Sequence, residues 1–315
     1  MNPSIQQYLD ILDRIPVDRI THHPNILVAA GFWDEERYHA AKVCYRFMRE
    51  IDDMIDDYKA THTRIREEDR ERFTGQVERW LGRIRSKRTG GLIGSELIRT
   101  IRDFRIPVWP IENFARSMVY DIHHDGFPSV DAFFDYSEGA SVAPSSIFVH
   151  LCGITYKDGA WQEPAFDVRE AATPCARFSY LVHIMRDFRK DQLSNLSYFA
   201  DDRIAACGLS RDSMRKIAEG APPTEGFRTL MHEYCRLAES CKEETWKVLD
   251  RISPLLEPRY HLSLLIIFNL YLMVFERIDP DQGTFTTEEL NPSPEEIHER
   301  VKRTILDFRH RSINN

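Results

Sequence analysis

The chain has 315 residues, 42% of them hydrophobic and 29% charged, with a formal net charge of −8. That balance belongs to a globular chain rather than a disordered one. The net negative charge excludes a whole-surface grip on a polyanion, so nucleic acid is not an expected partner.

The densest basic cluster, Arg83, Arg85, Lys87 and Arg88, runs into Thr89-Gly90-Gly91 and reads as a helix end and loop. The six cysteines, Cys44, Cys152, Cys175, Cys207, Cys235 and Cys241, form no CxxC pair and have no zinc-finger spacing. Without a secretory signal at the start, they are expected to be reduced thiols of a cytoplasmic protein. Internal repeats and low-complexity tracts are absent, and the expectation is one domain over 1–315.

Helical spacing dominates, and strand-type alternation is scarce. The first predicted helix, 35–58, carries Tyr45-Arg-Phe-Met-Arg-Glu-Ile-Asp-Asp-Met-Ile-Asp-Asp57. At about 100° per residue, Tyr45, Arg49, Asp52 and Asp56 share an arc of roughly 60°. Cys44, Phe47, Met48, Ile51, Met54 and Ile55 fill an adjacent apolar side, while Arg46, Glu50, Asp53 and Asp57 fall on an opposite, solvent-like side. Carboxylates at i and i+4 repel unless something positive sits between them. Magnesium suits, because it takes oxygen ligands from one or two carboxylates and completes its shell with water and phosphate. A solvated acidic helix end is the plainer alternative.

Helices are next expected over 66–87, 93–104, 111–123 and 130–152, separated by Thr89-Gly90-Gly91, Ile106-Pro107 and Asp125-Gly126-Phe127-Pro128. His123 and His124 read as a helix end rather than as metal ligands. After the Asp158-Gly159 turn, a helix over 168–194 holds the second acidic segment, Tyr180-Leu-Val-His-Ile-Met-Arg-Asp-Phe-Arg-Lys-Asp191. Tyr180, His183, Asp187 and Asp191 share one face. Two such helices facing each other across a bundle would form a cage of four carboxylates, untenable without cations. A magnesium-bound diphosphate between them satisfies both.

The remaining helices are expected over 210–219, 225–251, 257–278 and 293–309. The apolar run Leu262–Phe275, interrupted by Ser263 and Asn269, falls short of the ~20 residues of a membrane span and reads as a core helix. Ser293, Pro294 and Glu296 make a helix start with a capping box, followed by an apolar stripe of Ile297, Val301, Ile305 and Phe308. No GxSxG, HExxH or Gly-rich phosphate loop is present.

From about His22 to Ile278 the chain resembles the squalene/phytoene synthase family. Tyr45-x-x-x-Arg49-x-x-Asp52-x-x-x-Asp56 is similar to that family's first aspartate motif, and Arg186-Asp187-x-x-x-Asp191 to the core of its second. Tyr198 matches a tyrosine that follows the second motif. Met118-x-x-Asp121 and Gly139-Ala-Ser-Val-Ala143 resemble parts of a central helix, and Ala238 and Tyr271 to Ile278 resemble the closing helices.

The resemblance implies an all-α, single-domain isoprenoid-synthase-type bundle with a central apolar cavity. It implies a magnesium-dependent prenyltransferase that condenses two C15 or C20 prenyl diphosphates head to head, through a cyclopropyl diphosphate, to squalene, dehydrosqualene or phytoene. NADPH enters only if squalene is the product. By position, Asp52, Asp56, Asp187 and Asp191 become magnesium ligands and catalytic residues. Arg49 and Arg186 become diphosphate contacts, and Tyr45, Tyr180, Tyr198 and Tyr271 border the substrate. His23 and Asn25 align with a Ser-rich diphosphate contact. The implied partners are the prenyl diphosphate itself and, for product release, a membrane surface touched peripherally, with the chain a monomer or weak dimer.

Several positions depart from the pattern. His183 stands where the family carries a ligating asparagine, so it is either a metal ligand or a hydrogen-bond partner of Asp187 or phosphate. Lys190 stands in place of a glutamate, and Asn195-Leu196 in place of Gly-Arg. These changes thin the second motif. They keep two alternatives open: an enzyme that ionises a single prenyl diphosphate to cyclise, hydrolyse or transfer it, and a non-catalytic assembly factor of the same shape.

Overall fold

Helix starts along the chain are written in local capping chemistry. In the computed structural model, which describes residues 4–17, 24–62, 65–86 and 92–313, Ser4 caps α1 (Ile5–Leu12) with a reciprocal capping box through Gln7. After α2 (Pro24–Ala30), Asp34 opens α3 (Glu35–Thr61) by accepting the Arg37 backbone N–H at 2.9 Å. Glu35 and Glu36 suit the positive end of the helix dipole there. Next come α4 (Glu67–Arg85), α5 (Leu92–Asp103) and α6 (Trp109–His123). The last ends at His123, with His124 as its cap.

The expected continuous helix over 130–152 is interrupted. Ser129 caps α7 (Val130–Ser137), a π turn follows at Glu138–Val142, and α8 runs Ala143–Gly153. Gly139 explains the interruption. A Cβ on it would collide with the Asn113 carbonyl oxygen and Ser117 Oγ of α6, so the two backbones touch where the chain widens. Ser117 Oγ also donates to the Tyr136 carbonyl at 2.7 Å.

A small hairpin absent from the sequence expectation follows: β1 (Thr155–Lys157) pairs antiparallel with β2 (Ala160–Gln162). Its turn, Asp158-Gly159, has positive φ at both residues, the two-residue turn that matches strand twist.

The helix expected over 168–194 breaks at Asp187. α9 (Val168–Arg186) ends there and α10 (Phe188–Leu193) begins, with Asp187 at φ −94° and ψ 8°. After α11 (Asp201–Ala206) and α12 (Arg211–Ala218), the long α13 (Glu225–Ile252) and α14 (Pro258–Phe275) complete the interior. α15 (Thr287–Leu290) leads to α16 (Pro294–Ile313). The predicted cap is present: Glu296 N–H donates to Ser293 Oγ at 3.3 Å, and Ser293 N–H to Glu296 Oε2 at 2.7 Å. Helices α2, α11 and α15, of seven, six and four residues, are too short to stand out in sequence, whereas α1, also unpredicted, carries a legible signal in its Ser4–Gln7 capping box.

α9 lies at the centre, packed by α13, α8 and α14; α3 packs on α5, α6 and α8. Contrary to the expectation that the apolar run falls short of a membrane span, α14 extends it to 18 residues and is the one described helix long and apolar enough to cross a membrane. It sits inside the bundle, against α2, α8, α9 and α16. Its Ser263 is satisfied there, accepting Trp33 Nε1–H at 2.9 Å and donating to the Ala29 carbonyl at 2.6 Å. The architecture is all-α, with the hairpin as a surface addition.

Candidate active site

A cavity of about 740 Å³ opens between these helices, a size that holds a mid-sized organic ligand. Its deeper wall is apolar: Phe148 and Leu151 from α8, Val248 and Ile252 from α13, and Leu264 and Ile267 from α14. The Ala140, Ser141 and Pro144 stretch at the π turn opens another side, and π turns recur at functional sites because they displace the wall of a helix. Tyr45, Arg49, Asp52 and Asp56 from α3 and Tyr180, His183, Arg186, Asp187 and Asp191 from α9–α10 all line the same cavity, as do Tyr198 and Tyr271. The two acidic segments therefore line one cavity.

His23 lies outside the described residues, and of Asn25 only the backbone, in α2, is described. Asp53 and Asp57, assigned by periodicity to the solvent side, also line the cavity. The mouth is broader than one helix face.

Arg49 lies between carboxylates, donating to Asp52 Oδ2 at 2.7 Å and also pairing with Asp53. Burial nevertheless pushes Asp52 up to about 6, against the lowering pull of Arg49 and with Asp121 adding repulsion. Its side chain keeps 31% exposure, directed to the cavity, so the push is that of an enclosed wet site. Asp56 is driven well above the carboxylate range by desolvation, with Asp52 and Asp121 repelling it and Lys59 countering. Asp56 Oδ1 is buried without a hydrogen-bond partner among the described residues. Such an oxygen is the donor a hard divalent cation takes.

The second segment is built differently. Asp187 receives Arg186 Nε–H and Nη2–H, both at 2.8 Å, and lies 2.7 Å from His183 Nε2. Burial alone would raise its pKa, but these bonds from Arg186 and His183 hold it far below the carboxylate range. His183 is thus a hydrogen-bond partner of Asp187 in this structure, and burial followed by the Arg186 charge lowers its own pKa. Asp191 is buried, and desolvation with repulsion from Asp187 raises it. Among the described residues no three His, Cys, Asp or Glu side chains converge on one point for a cation. The anticipated four-carboxylate cage is thus two unlike halves.

Tyr136 was not singled out from sequence, yet it is buried, lines the cavity, and shares a hydrogen bond with Tyr180. Desolvation, then the Asp121 charge, drives both phenols well above their usual range. Tyr180 in turn meets Tyr198 edge-on at 6.0 Å. The one sequence signal for Tyr136 is its place three residues before Gly139. Beneath α3, Lys59 pairs with Asp121 of α6 and also donates to the His124 carbonyl at 3.3 Å. Lys59 and Asp121 are both buried.

The profile of the squalene/phytoene synthase family matches residues 21–302. The chain belongs to the squalene/phytoene synthase family. Within that family it is 23% identical over 256 residues to the chloroplastic phytoene synthase 1 of Zea mays, an alignment covering 80% of this chain and 58% of that enzyme. The chain thus spans a little over half the length of that relative. Its fold matches a dehydrosqualene synthase solved with a ligand, at a TM-score of 0.70 and 13% identity over 99% of both chains. It also matches squalene synthase HpnC from Alicyclobacillus acidocaldarius, at a TM-score of 0.54 and 15% identity, covering 76% of this chain and 93% of that one.

Proposed function

We propose that this squalene/phytoene synthase family member condenses two prenyl diphosphates, farnesyl or geranylgeranyl, head to head through a cyclopropyl diphosphate to squalene, dehydrosqualene or phytoene. The observation that carries the proposal is an apolar cavity lined at one end by two acidic segments. Asp52 and Asp56 would hold magnesium, which when bound supplies charge neutralisation to a departing diphosphate. Arg49, in the same wall, donates to diphosphate oxygens, where a guanidinium fork fits well. Tyr45, Tyr136, Tyr180 and Tyr271 face the cavity with aromatic rings that attract positive charge. The apolar wall keeps water from an allylic cation.

One observation favours a second reading, an enzyme acting on a single prenyl diphosphate. Asp187 is already saturated by Arg186 and His183, which leaves the second half of the site short of open carboxylate oxygens.

Purified protein incubated with magnesium and either farnesyl or geranylgeranyl diphosphate, with and without NADPH, separates the readings by product mass. A C30 or C40 hydrocarbon, lost in Asp52→Asn, is the expected outcome, and NADPH dependence would mark squalene. Diphosphate release with only C15 or C20 products would transfer the assignment to the single-substrate enzyme. No release from either substrate would sink both.

A further inference from the structure

The two halves of the cavity mouth carry opposite charge balances. On α3, Asp52, Asp53, Asp56 and Asp57 face one guanidinium, Arg49, which is itself paired with Asp52 and Asp53. On α9–α10, Asp187 and Asp191 face Arg186 and Lys190. Here Asp187 is bound by Arg186 and His183, and the charge of Asp191 is opposed by those of Lys190 and Arg186. Lys190, by contrast, is exposed on the cavity wall and forms no ion pair with a described residue. It lies close enough for its charge to act on both Asp191 and His183.

A net-negative wall recruits a cation before it can meet a diphosphate. A wall whose two carboxylates are matched in number by two cations, and which presents an ammonium outside any described ion pair, meets the diphosphate directly. Lysine acts on phosphate as a mobile point charge with three donors. The rigid Arg186–Asp187–His183 cluster fixes the helix break from which Lys190 projects, because Asp187 is the junction of α9 and α10.

We propose that the second segment is a metal-independent diphosphate subsite whose contact is the Lys190 ammonium, and that divalent cations load on the α3 side. This inference rests on the proposed function, since it presumes that a diphosphate enters the cavity.

Calorimetric titration with inorganic diphosphate and with a non-ionisable farnesyl thiolodiphosphate, each in magnesium and in EDTA, tests it. The wild-type protein is expected to keep measurable affinity in EDTA and to gain more with magnesium. Lys190→Met should weaken binding in EDTA about tenfold, the size of one lost charge-assisted contact. Lys190→Arg should restore most of that loss, and Asp56→Asn should remove only the magnesium-dependent gain. Unchanged binding by Lys190→Met in EDTA would overturn the proposal. So would wild-type binding that appears only with magnesium, an outcome that leaves the proposed function standing. No binding of either ligand in any condition would remove the proposed function together with the inference.

Discussion

Asp56 and Lys59 sit one turn apart on α3 and show how unlike two buried charges can be. Asp56 lines the cavity and holds a buried oxygen without a hydrogen-bond partner among the described residues, an arrangement that makes sense where a cation is to arrive. Replacing it with Asn keeps the size of the side chain and removes the charge. Metal-assisted departure of a diphosphate draws several kcal/mol from such contacts, so Asp56→Asn should lower turnover by at least about a hundredfold. Steady-state kinetics, with circular dichroism to confirm the fold, would check this. Lys59 is committed instead to Asp121, and both are buried. Removing one partner strands a buried charge, so Lys59→Met should cost about 3–5 kcal/mol. The double variant Lys59→Met/Asp121→Leu should recover much of that loss. Urea unfolding of the three proteins measures it, and equal stability of the single and double variants would refute the coupling.

The two places where predicted helices break are the two that shape the site. Periodicity carries straight through 130–152, because a π turn keeps the helical direction while inserting one extra residue per turn. The signal is Gly139, pressed against the α6 backbone. Gly139→Ala should therefore destabilise by about 1–3 kcal/mol through overpacking, whereas Gly82→Ala, with open space around its Cα, should be neutral or slightly stabilising. Comparing the two melting curves is the test. At Asp187 the break coincides with a charged pairing, in which Arg186 folds back onto the carboxylate of the next residue. Sequence spacing alone places Asp187 and Asp191 on one continuous helix and cannot register that bend.

For the whole molecule, the electrostatics of the mouth set a pH dependence. Asp52 at about 6, with Asp56 and Asp191 also raised, binds protons more tightly in the folded protein than in the unfolded chain. Their contribution to stability is full below the unfolded carboxylate value of about 3.9 and is lost as pH rises through the folded values. Asp187, depressed, has the opposite sign, but its loss falls below the ordinary carboxylate range. His150 and His183, both lowered by burial, lose stability as pH falls below about 6.5. The carboxylate contribution is therefore read as a difference. In chelator, the melting temperature of the wild type relative to Asp52→Asn should fall between about pH 4 and about pH 6.5 and level off above, and magnesium should flatten that slope. A difference independent of pH would contradict the raised Asp52.

The sequence by itself determined the helical class and the two acidic segments with their cluster of tyrosines and arginines. It also determined the capped start of α16. These depend on contacts within four residues of one another, where the period of a helix and the chemistry of a cap are fixed locally. Tertiary structure decided what each charged group does. It turned Asp53 and Asp57 toward the cavity, bound Asp187 with Arg186 and His183, and left Lys190 uncommitted. It brought Tyr136 to Tyr180, and closed the wall with Thr287, Asn291 and Ile297 from near the C-terminus. The direction of a carboxylate and the depth of a cavity follow from which distant elements pack around them, and that choice belongs to the packing of the whole chain.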